Sequence, residues 1–189
     1  RYTLSGAMDT DKKHSQLNIL HSRGARVIAE ARIPDRVLRA RVGAPAAELF
    51  RARLNSFAGS VMAGSANNGM HAANALAALF IATGQDAANV AESHAAITYV
   101  RLEDDPERGQ PAYYWSITLP ALIVATFGGG TGLPTQAECL DVLGCRGEGK
   151  VGRFIEICAA TVLAGEVSLA GAVVAGDWVE SHDRLGRNR

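Results

Sequence analysis

The sequence predicts an α+β fold, in which a small antiparallel sheet accompanies a larger number of helices. Three stretches favour strands: residues 24–33 contain enough β-branched side chains, and residues 95–103 and 111–119 flank a charged link. Helical periodicity between the strands, and a long apolar segment from Ile155 to about Glu180, favour helices. At 189 residues the chain is long enough for one domain with a substantial core.

Proline and capping residues set the first elements. The first strand should stop at Pro34, and Asp35 is positioned to cap a helix that continues to about Val42. A second helical stretch should begin at Ala46 and run towards Asn55.

The middle of the chain combines a small-residue segment with a clear helical pattern. Residues 58–70 are rich in Gly, Ala, Ser and Asn, a composition that allows close backbone approach or a turn with free amides. Apolar residues then recur at i, i+3, i+4, i+7 and i+8, at Ala73, Leu76, Ala77, Phe80 and Ile81. Gly84 is placed to end this helix, so Gln85 and Asp86 should lie just past its C-terminus.

A hairpin and a capped helix are expected further along. Residues 111–119 alternate polar and apolar side chains, as a strand with one buried face requires. The charged, proline-containing link 103–109 indicates an exposed hairpin loop. Thr135 with Glu138 predicts a capping box for a short helix ending at Gly144.

The long apolar segment has two interpretations, a membrane span or a buried helix. Residues 157–176 hold a single charge, Glu166, in a background of Ala, Gly and Val. A carboxylate at the centre of a membrane span costs roughly 2.5–3.5 kcal/mol on insertion scales, and alanine contributes little in return. We therefore favour a buried helix in a tight interface of small residues.

Composition excludes several classes of function. Lys and Arg together number 19, as do Asp and Glu, so a net charge of zero gives no global argument for binding nucleic acid or an anionic membrane. Three cysteines without a CxxC pair argue against a disulfide framework or a zinc ribbon and fit a reducing compartment. Five scattered histidines offer no metal-binding spacing, so no metal is expected.

The first candidate for chemistry is the cluster Asp11-Lys12-Lys13. It places two adjacent ammonium groups beside a carboxylate, in a segment without an apolar run of its own. A lone lysine is usually a solvated surface residue, so the cluster needs support from the rest of the chain.

Seven short motifs supply that support, because their order resembles that of one enzyme family. Along the chain they are Ser5-Gly6 with Asp11-Lys12-Lys13, Met62-Ala63-Gly64-Ser65, His71-Ala72-Ala73-Asn74, Gly84-Gln85-Asp86, Gly128-Gly129-Gly130-Thr131, Ala164-Gly165-Glu166-Val167-Ser168-Leu169 and Ser181-His182. The chain is similar in this respect to HMG-CoA reductase. The resemblance covers essentially the whole chain, but only the C-terminal half or less of that family's catalytic domain.

The resemblance implies a two-step reduction of 3-hydroxy-3-methylglutaryl-CoA to mevalonate and free CoA, in isoprenoid biosynthesis. The reductant would be two molecules of NADPH, with NADH not excluded. Hydride addition to a thioester carbonyl develops an oxyanion, which a positioned ammonium stabilises and then protonates. By resemblance Lys12 is the catalytic lysine, Asp86 hydrogen-bonds it and biases its protonation, and His182 protonates the departing CoA thiolate.

The same resemblance assigns two further sets of residues. Substrate binding is implied for Ser5, Asp11, Lys13, His71 and Asn74. Cofactor contact is implied for Gly84, Gln85, Gly128, Gly129, Gly130 and Thr131. The family often has a lysine just before the second motif, and in this chain Arg53 or Asn55 would have to serve instead.

The resemblance also implies an architecture. Residues 1–10 should be the substrate loop that leaves a small N-terminal cofactor-binding domain, which is missing from this chain. Residues 11–189 should be the C-terminal part of a helix-rich large substrate domain. The family's catalytic glutamate and cofactor motif would lie upstream of Arg1, so the isolated fragment should be inactive. A homodimer or larger homo-oligomer, a cytoplasmic location and no membrane contact within this segment are the matching expectations.

Two other classes of function remain open at this point. A CoA- or nucleotide-binding module without catalysis would keep the substrate-side residues but turn nothing over. A structural dimerisation domain would leave Lys12, Asp86 and His182 far apart. The catalytic assignment instead requires the charged groups of Lys12 and Asp86 to lie within hydrogen-bond reach, directly or through one water.

Overall fold

The computed structural model describes residues 9–105 and 109–186. Its sheet has three antiparallel strands, with β3 (Pro111–Leu122) lying between β1 (Ala25–Pro34) and β2 (Ile97–Asp104). The predicted α+β class and the antiparallel sheet are confirmed. Part of the predicted hairpin loop between β2 and β3, residues 106–108, lies outside the described residues.

Helices make up most of the remaining structure. They are α1 (Gln16–Leu20), α2 (Asp35–Arg41), α3 (Ala46–Met62), α4 (Ala72–Thr83), α5 (Val90–Ser93), α6 (Pro134–Val142), α7 (Val151–Ala175) and α8 (Asp177–Arg184). Short 3-10 turns cover Ala87–Asn89, just before α5, and Gly129–Gly132, just before α6.

The core lies between the inner face of the sheet and helices α3, α4 and α7. On β3 the predicted alternation holds, since Trp115, Ile117 and Leu119 are buried and the residues between them are partly exposed. Phe80 of α4 and Phe154 of α7 belong to the same buried cluster. Each fully buried side chain of this size contributes roughly 1.5–3 kcal/mol, so the helices are held to the sheet mainly by apolar burial.

Asp35 joins two helices rather than capping one. The N-cap of α2 is Pro34, and Asp35 is the first helical residue. Its carboxylate accepts the Ala46 N–H at 2.7 Å and pairs with Arg39 at 2.5 Å. The predicted cap is therefore wrong for α2, but the same side chain caps the first turn of α3 from a distance.

Helix α3 is longer than the sequence predicts. It continues beyond Asn55 to Met62 and takes up the first part of the small-residue segment. The Ser60 hydroxyl donates to the Ser56 carbonyl one turn earlier, at 3.0 Å, so its polar group is satisfied inside the helix. The turn that follows begins only at Ala63.

Helix α6 begins without the predicted capping box. Its first residue is Pro134, its N-cap is Leu133, and no side chain hydrogen-bonds to the cap. Proline starts a helix well because its φ angle is already helical and its missing N–H has no partner to lose. Thr135 therefore lies inside the first turn, where it cannot act as the N-cap.

The long apolar segment is two helices separated by a glycine. Gly176 adopts a left-handed conformation, with φ of 87°, which ends α7 and lets α8 start in a new direction. By length and composition alone α7 could cross a membrane, and 39% of its most apolar stretch is buried within the chain. Its contacts with α3, α4 and the sheet support the interpretation as a core helix.

Small residues in α7 permit close packing, as the sequence predicts. A side chain at Gly165 would overlap the His71 imidazole, and one at Gly171 would overlap Val42. These two glycines let α7 approach the start of α4 and the end of α2. Helix α7 therefore packs directly against His71, which the resemblance assigns to the substrate.

Candidate active site

The centre of the candidate site is an ion pair between Lys12 and Asp86. The Lys12 ammonium lies 2.6 Å from Asp86 Oδ2, and the two side chains are 45% and 46% exposed. The requirement that these groups lie within hydrogen-bond reach is met directly. The pair faces solvent, so its ammonium is accessible to a substrate.

Local structure explains how Asp86 is presented to Lys12. Helix α4 ends at Gly84, whose left-handed φ of 70° turns the chain sharply. Asp86 then caps the 3-10 turn, with Oδ1 accepting the Ala88 N–H at 3.0 Å. The second oxygen, Oδ2, is left to the Lys12 ammonium.

Each member of the pair favours the charged form of the other. The hydrogen bond and the charge of Asp86 raise the pKa of Lys12 above its usual 10.5. The hydrogen bond from Lys12, followed by that from the Ala88 N–H, lowers the pKa of Asp86 below its usual 3.8. At neutral pH the site therefore presents a full ammonium whose orientation is set by a carboxylate.

Lys12 lies in a short turn, residues 9–13, which we call the Lys12 turn. Lys12 is the one described non-glycine residue with a positive φ, 56°, a conformation that costs free energy for a residue with a Cβ. The Asn18 side-chain amide donates to the carbonyls of Thr10 and Lys13, at 3.2 and 2.8 Å. These bonds fasten the turn to the start of α1.

A buried glutamate, Glu92 in α5, holds the same turn from the other side. Its side chain is 1% exposed, and its Oε1 accepts the Lys12 N–H at 2.5 Å. Arg23 donates to both carboxylate oxygens, at 2.7 and 3.2 Å. Burial acts to raise the pKa of Glu92, but the bonds from Arg23 and Lys12 outweigh it and lower the pKa below 4.5. Sequence reasoning did not find this residue.

Asp11 and Lys13 flank Lys12 with their own partners. Asp11 forms an ion pair with Arg23, and the Lys13 ammonium lies 2.9 Å from Asp9 Oδ1. Both side chains are about half exposed, so they can also meet a ligand. Their assignment to substrate binding stays a prediction, and Ser5 lies outside the described residues.

A pocket of about 390 Å³ adjoins the ion pair and gathers every residue assigned to the cofactor. It is lined by Gly84, Gln85, Asp86, Asn89, Ile123, Val124, Ala125, Phe127, Gly128, Gly129, Gly130 and Thr131. The α-carbons of Gly128 and Gly129 have open space where a side chain would stand. The backbone of this loop can therefore approach a bound group closely.

Two contacts join the loop after α4 to the glycine-rich loop. Gly84 and Gly130 lie so close that a Cβ on either would overlap the carbonyl oxygen of the other. The Gln85 side-chain amide exchanges two hydrogen bonds with the Ala125 backbone, at 2.7 and 2.9 Å. The polar atoms of Gln85 are thus used to hold the pocket wall together.

His71 and Asn74, which the resemblance assigns to the substrate, lie at the start of α4: His71 is its N-cap and Asn74 lies in its first turn. Glu166 of α7, 2% exposed, accepts the N–H groups of Met70 and His71, both at 2.7 Å. The His71 Nδ1 is buried without a hydrogen-bond partner in the described structure, whereas Asn74 is exposed. Glu166 therefore fixes the backbone entering α4, while the His71 imidazole packs against Gly165 of α7.

His182 lies on α8, where its described contacts are with Trp178 of the same helix. Its Nδ1 is 2.6 Å from the Trp178 carbonyl, and the two rings pack with their centroids 4.0 Å apart. Among the described residues, no hydrogen bond or ion pair joins it to Lys12 or Asp86. Donation from Nδ1 leaves Nε2 as the solvent-facing nitrogen.

The Arg53 guanidinium is engaged by other residues of the chain and is not free to bind a substrate. It is buried, donates to the Asn68 carbonyl and the Thr98 hydroxyl, and lies over the Trp115 ring. These partners hold the guanidinium inside the core, where it also lines a cavity of about 180 Å³ with Glu166. Of the two residues considered for the family's missing lysine, Arg53 thus has a structural role here.

Fold and site together define an α+β protein with a lysine–aspartate centre beside a glycine-lined pocket, an arrangement suited to stabilising a developing oxyanion. Within residues 9–105 and 109–186, no group of three or more His, Cys, Asp or Glu side chains could hold a metal ion. The groups that this site provides are the oriented ammonium of Lys12 and the carboxylate of Asp86 that binds it.

Comparison with known proteins gives the family. The profile of the hydroxymethylglutaryl-coenzyme A reductase family matches residues 1–187. A 3-hydroxy-3-methylglutaryl-coenzyme A reductase of Methanocaldococcus jannaschii is 39% identical over 185 residues, 97% of this chain and 44% of the relative. The Halobacterium salinarum enzyme of the same name is 43% identical over 97% of the chain, and the Drosophila melanogaster enzyme is 40% identical over 98%.

The chain therefore belongs to the hydroxymethylglutaryl-coenzyme A reductase family. It spans less than half the length of these relatives, 44–45% of the two archaeal enzymes and 21% of the Drosophila enzyme.

Proposed function

We propose that this chain supplies the lysine–aspartate centre of an enzyme that reduces 3-hydroxy-3-methylglutaryl-CoA to mevalonate and CoA. The observation that carries the proposal is the 2.6 Å contact between Lys12 and Asp86, formed by two of the motifs that match the family. A reductase of this kind belongs to the mevalonate route of isoprenoid biosynthesis.

Lys12 acts on the carbonyl oxygen of the substrate. Its ammonium lies in a half-exposed position, so it can meet the oxygen on which negative charge develops during reduction. Asp86 keeps the ammonium charged and oriented, because its hydrogen bond raises the pKa of Lys12. The same ammonium can pass a proton to the oxygen once the carbonyl has been reduced.

The glycine-lined pocket fits one end of a nicotinamide cofactor. Open space at Gly128 and Gly129 lets a flat ring approach the backbone, and the pocket shares Asp86 with the ion pair. The bound cofactor would supply hydride, and NADPH is the form we propose. In this scheme Gly84, Gln85 and residues 128–131 form a rigid wall that orients the group beside Lys12.

Asp11, Lys13, His71 and Asn74, with Ser5, are proposed to contact the substrate. The Lys13 ammonium is half exposed and suits the carboxylate of the hydroxymethylglutaryl group. His182 is proposed to protonate the CoA thiolate that departs from the thiohemiacetal, which prevents its return to the aldehyde carbon.

The complete enzyme is expected to contain more than this chain. The matched relatives are at least twice as long, and we propose that the additional residues include a small cofactor-binding domain and a catalytic glutamate. A homodimer or larger homo-oligomer in the cytoplasm is the proposed state. The fragment alone should have no reductase activity.

A CoA- or nucleotide-binding module without catalysis is the alternative. The decisive experiment follows nicotinamide absorbance in the complete protein with and without 3-hydroxy-3-methylglutaryl-CoA. Oxidation of two cofactor molecules per mevalonate supports the reductase. Tight CoA binding without oxidation would instead support the binding module and reject the proposal.

A further inference from the structure

We propose that Glu92 is a positioning residue for Lys12, because its buried carboxylate fixes the turn from which the Lys12 ammonium reaches Asp86. This inference rests on the function proposed above for Lys12. Glu92 itself does not face the site, since its side chain is 1% exposed, and so it would act through Lys12 rather than on substrate.

The first support is the way in which Glu92 is bonded. A buried carboxylate is costly unless it is paired, and this one accepts the Lys12 N–H together with two bonds from the fork of Arg23. The next residue, Ser93, accepts the Ile123 N–H at 3.1 Å, which fastens α5 to the end of β3. Glu92 is therefore held on a fixed part of the fold.

The second support is the conformation of Lys12. A positive φ at a residue with a Cβ persists only where the surroundings impose it. Of the contacts to the Lys12 backbone, the 2.5 Å bond to Glu92 is charged and buried at its acceptor. Relaxation of Lys12 to an ordinary conformation would redirect its side chain away from Asp86.

The third support is that one segment holds Lys12 at two points. Asp86 is the N-cap of the continuous helical stretch from the 3-10 turn to α5, and Glu92 lies within that stretch. Asp86 accepts the ammonium of Lys12, and Glu92 accepts its backbone amide. Arg23 also helps to hold this turn, because it forms an ion pair with Asp11, the residue before Lys12.

The test uses Glu92→Gln in the complete enzyme, with Glu103→Gln as the matched control. Glu103 is also a carboxylate that accepts from two arginines, Arg32 and Arg101, but it lies on β2 at the outer face of the sheet. The readouts are the pKa of the Lys12 ammonium by NMR, kcat, and KM for the thioester. Asp86, Asp11 and Arg23 are the charged groups that act on the pKa of Lys12.

For Glu92→Gln we expect kcat to fall by about 10- to 100-fold, the loss typical of a misplaced catalytic group, with a smaller change in KM. The pKa of Lys12 should fall towards 10.5, and Glu103→Gln should change neither quantity. If Glu92→Gln does not fold, the double variant Glu92→Gln/Arg23→Gln replaces it, because it changes both partners of the ion pair together rather than one alone. Loss of Arg23 alone would raise the pKa of Lys12, so a fall in the double variant still reports the loss of position.

A further variant separates the effect of position from that of charge. In the Asp86→Asn background, Glu92→Gln should have no further effect on the pKa of Lys12, because the contact that it protects is already gone. A fall that persists there would be a direct charge effect and would overturn the proposal. An unchanged pKa of Lys12 in folded Glu92→Gln would also overturn it. These pKa readouts need no turnover, so they decide on Glu92 even if the complete enzyme proves not to reduce the thioester.

Discussion

The Lys12 ammonium and the Asp86 carboxylate form a 2.6 Å ion pair that joins the first turn of the described chain to the loop after α4. Neither residue is buried, so the pair adds little stability, as is usual for exposed ion pairs. Its value lies in orientation: one carboxylate oxygen is bound to the Ala88 N–H, and the other holds a charged ammonium at the edge of a pocket.

Replacing Asp86 by Asn should remove the ion pair that orients the Lys12 ammonium. The neutral amide keeps the size of the side chain but removes the charge that raises the pKa of Lys12, so that pKa should move down towards 10.5. NMR titration of the lysine side chain in the wild type and in Asp86→Asn gives the comparison. Lys150, an exposed lysine that is not among the groups acting on Asp86, serves as the internal control within each protein, and an unchanged Lys12 titration would contradict the assignment.

The same pair should have a defined pH dependence. The folded pKa of Asp86 lies below its unfolded value near 3.8, so its contribution to stability is present above that value and is lost as the pH falls through the folded pKa. The folded pKa of Lys12 lies above 10.5, so its contribution is lost as the pH rises through that value. The stability difference between wild type and Asp86→Asn should therefore be constant between about pH 5 and pH 9.5. Urea unfolding at a series of pH values tests this.

Gly84→Ala should separate the two loops that form the pocket. The added Cβ would overlap the Gly130 backbone, and the left-handed φ adds strain, so we expect a loss of about 2 to 4 kcal/mol in unfolding free energy. In Gly129→Ala the φ angle is also positive, but the added Cβ meets no neighbouring atom. We therefore expect a loss of only about 1 kcal/mol in unfolding free energy. Gly132→Ala has neither and should stay within about 0.5 kcal/mol of wild type. Equal losses in all three would show that the close approach of Gly84 and Gly130 is not important.

Glu166→Gln tests the buried carboxylate of α7. It accepts two backbone N–H groups at the start of α4, so loss of its charge should destabilise the fold by about 1 to 3 kcal/mol. Glu156→Gln, on the exposed face of the same helix, should change stability by less than about 0.5 kcal/mol. Chemical denaturation of both variants gives the measurement, and a neutral Glu166→Gln would mean that these bonds contribute little.

His182→Ala should affect one of the two reduction steps more than the other. The proposed role is protonation of the CoA thiolate, so reduction of the thioester should fall strongly while reduction of free mevaldehyde is largely spared. His21→Ala, at an exposed histidine on another part of the chain, is the control and should affect neither step. Equal losses with both substrates would assign His182 a structural role, through its contact with Trp178.

The parts of the fold that the sequence predicted best are those set by local chemistry. Alternation along β3 and the left-handed cap at Gly84 were predictable because each depends on residues within a few positions. Residues such as Lys12 and Asp86 were found through motifs that match a family, since neither stands out from its own neighbourhood. The pairing between them was an expectation that only the folded chain could test.

The features that could not be predicted from the sequence depend on contacts between residues far apart in the chain. Glu92 lies in a short, weakly patterned segment, and its partners Lys12 and Arg23 are about 70 to 80 positions earlier in the chain. The extra length of α3 comes from a helix that continues through Gly59, where no side chain is needed because the position is exposed. Helix α6 begins at Pro134, so Thr135, which was expected to be the N-cap, is its second residue.

The most direct test of the central claim is turnover by Lys12→Ala in the complete enzyme, measured as cofactor oxidation that depends on 3-hydroxy-3-methylglutaryl-CoA. Removal of the ammonium takes away the group that stabilises the oxyanion, so kcat should fall by at least about 100- to 1,000-fold. Lys13→Ala should mainly raise KM for the thioester, and Lys150→Ala should leave both constants unchanged. A Lys12→Ala enzyme with near wild-type kcat would contradict the assignment of Lys12 and, with it, this account of the site.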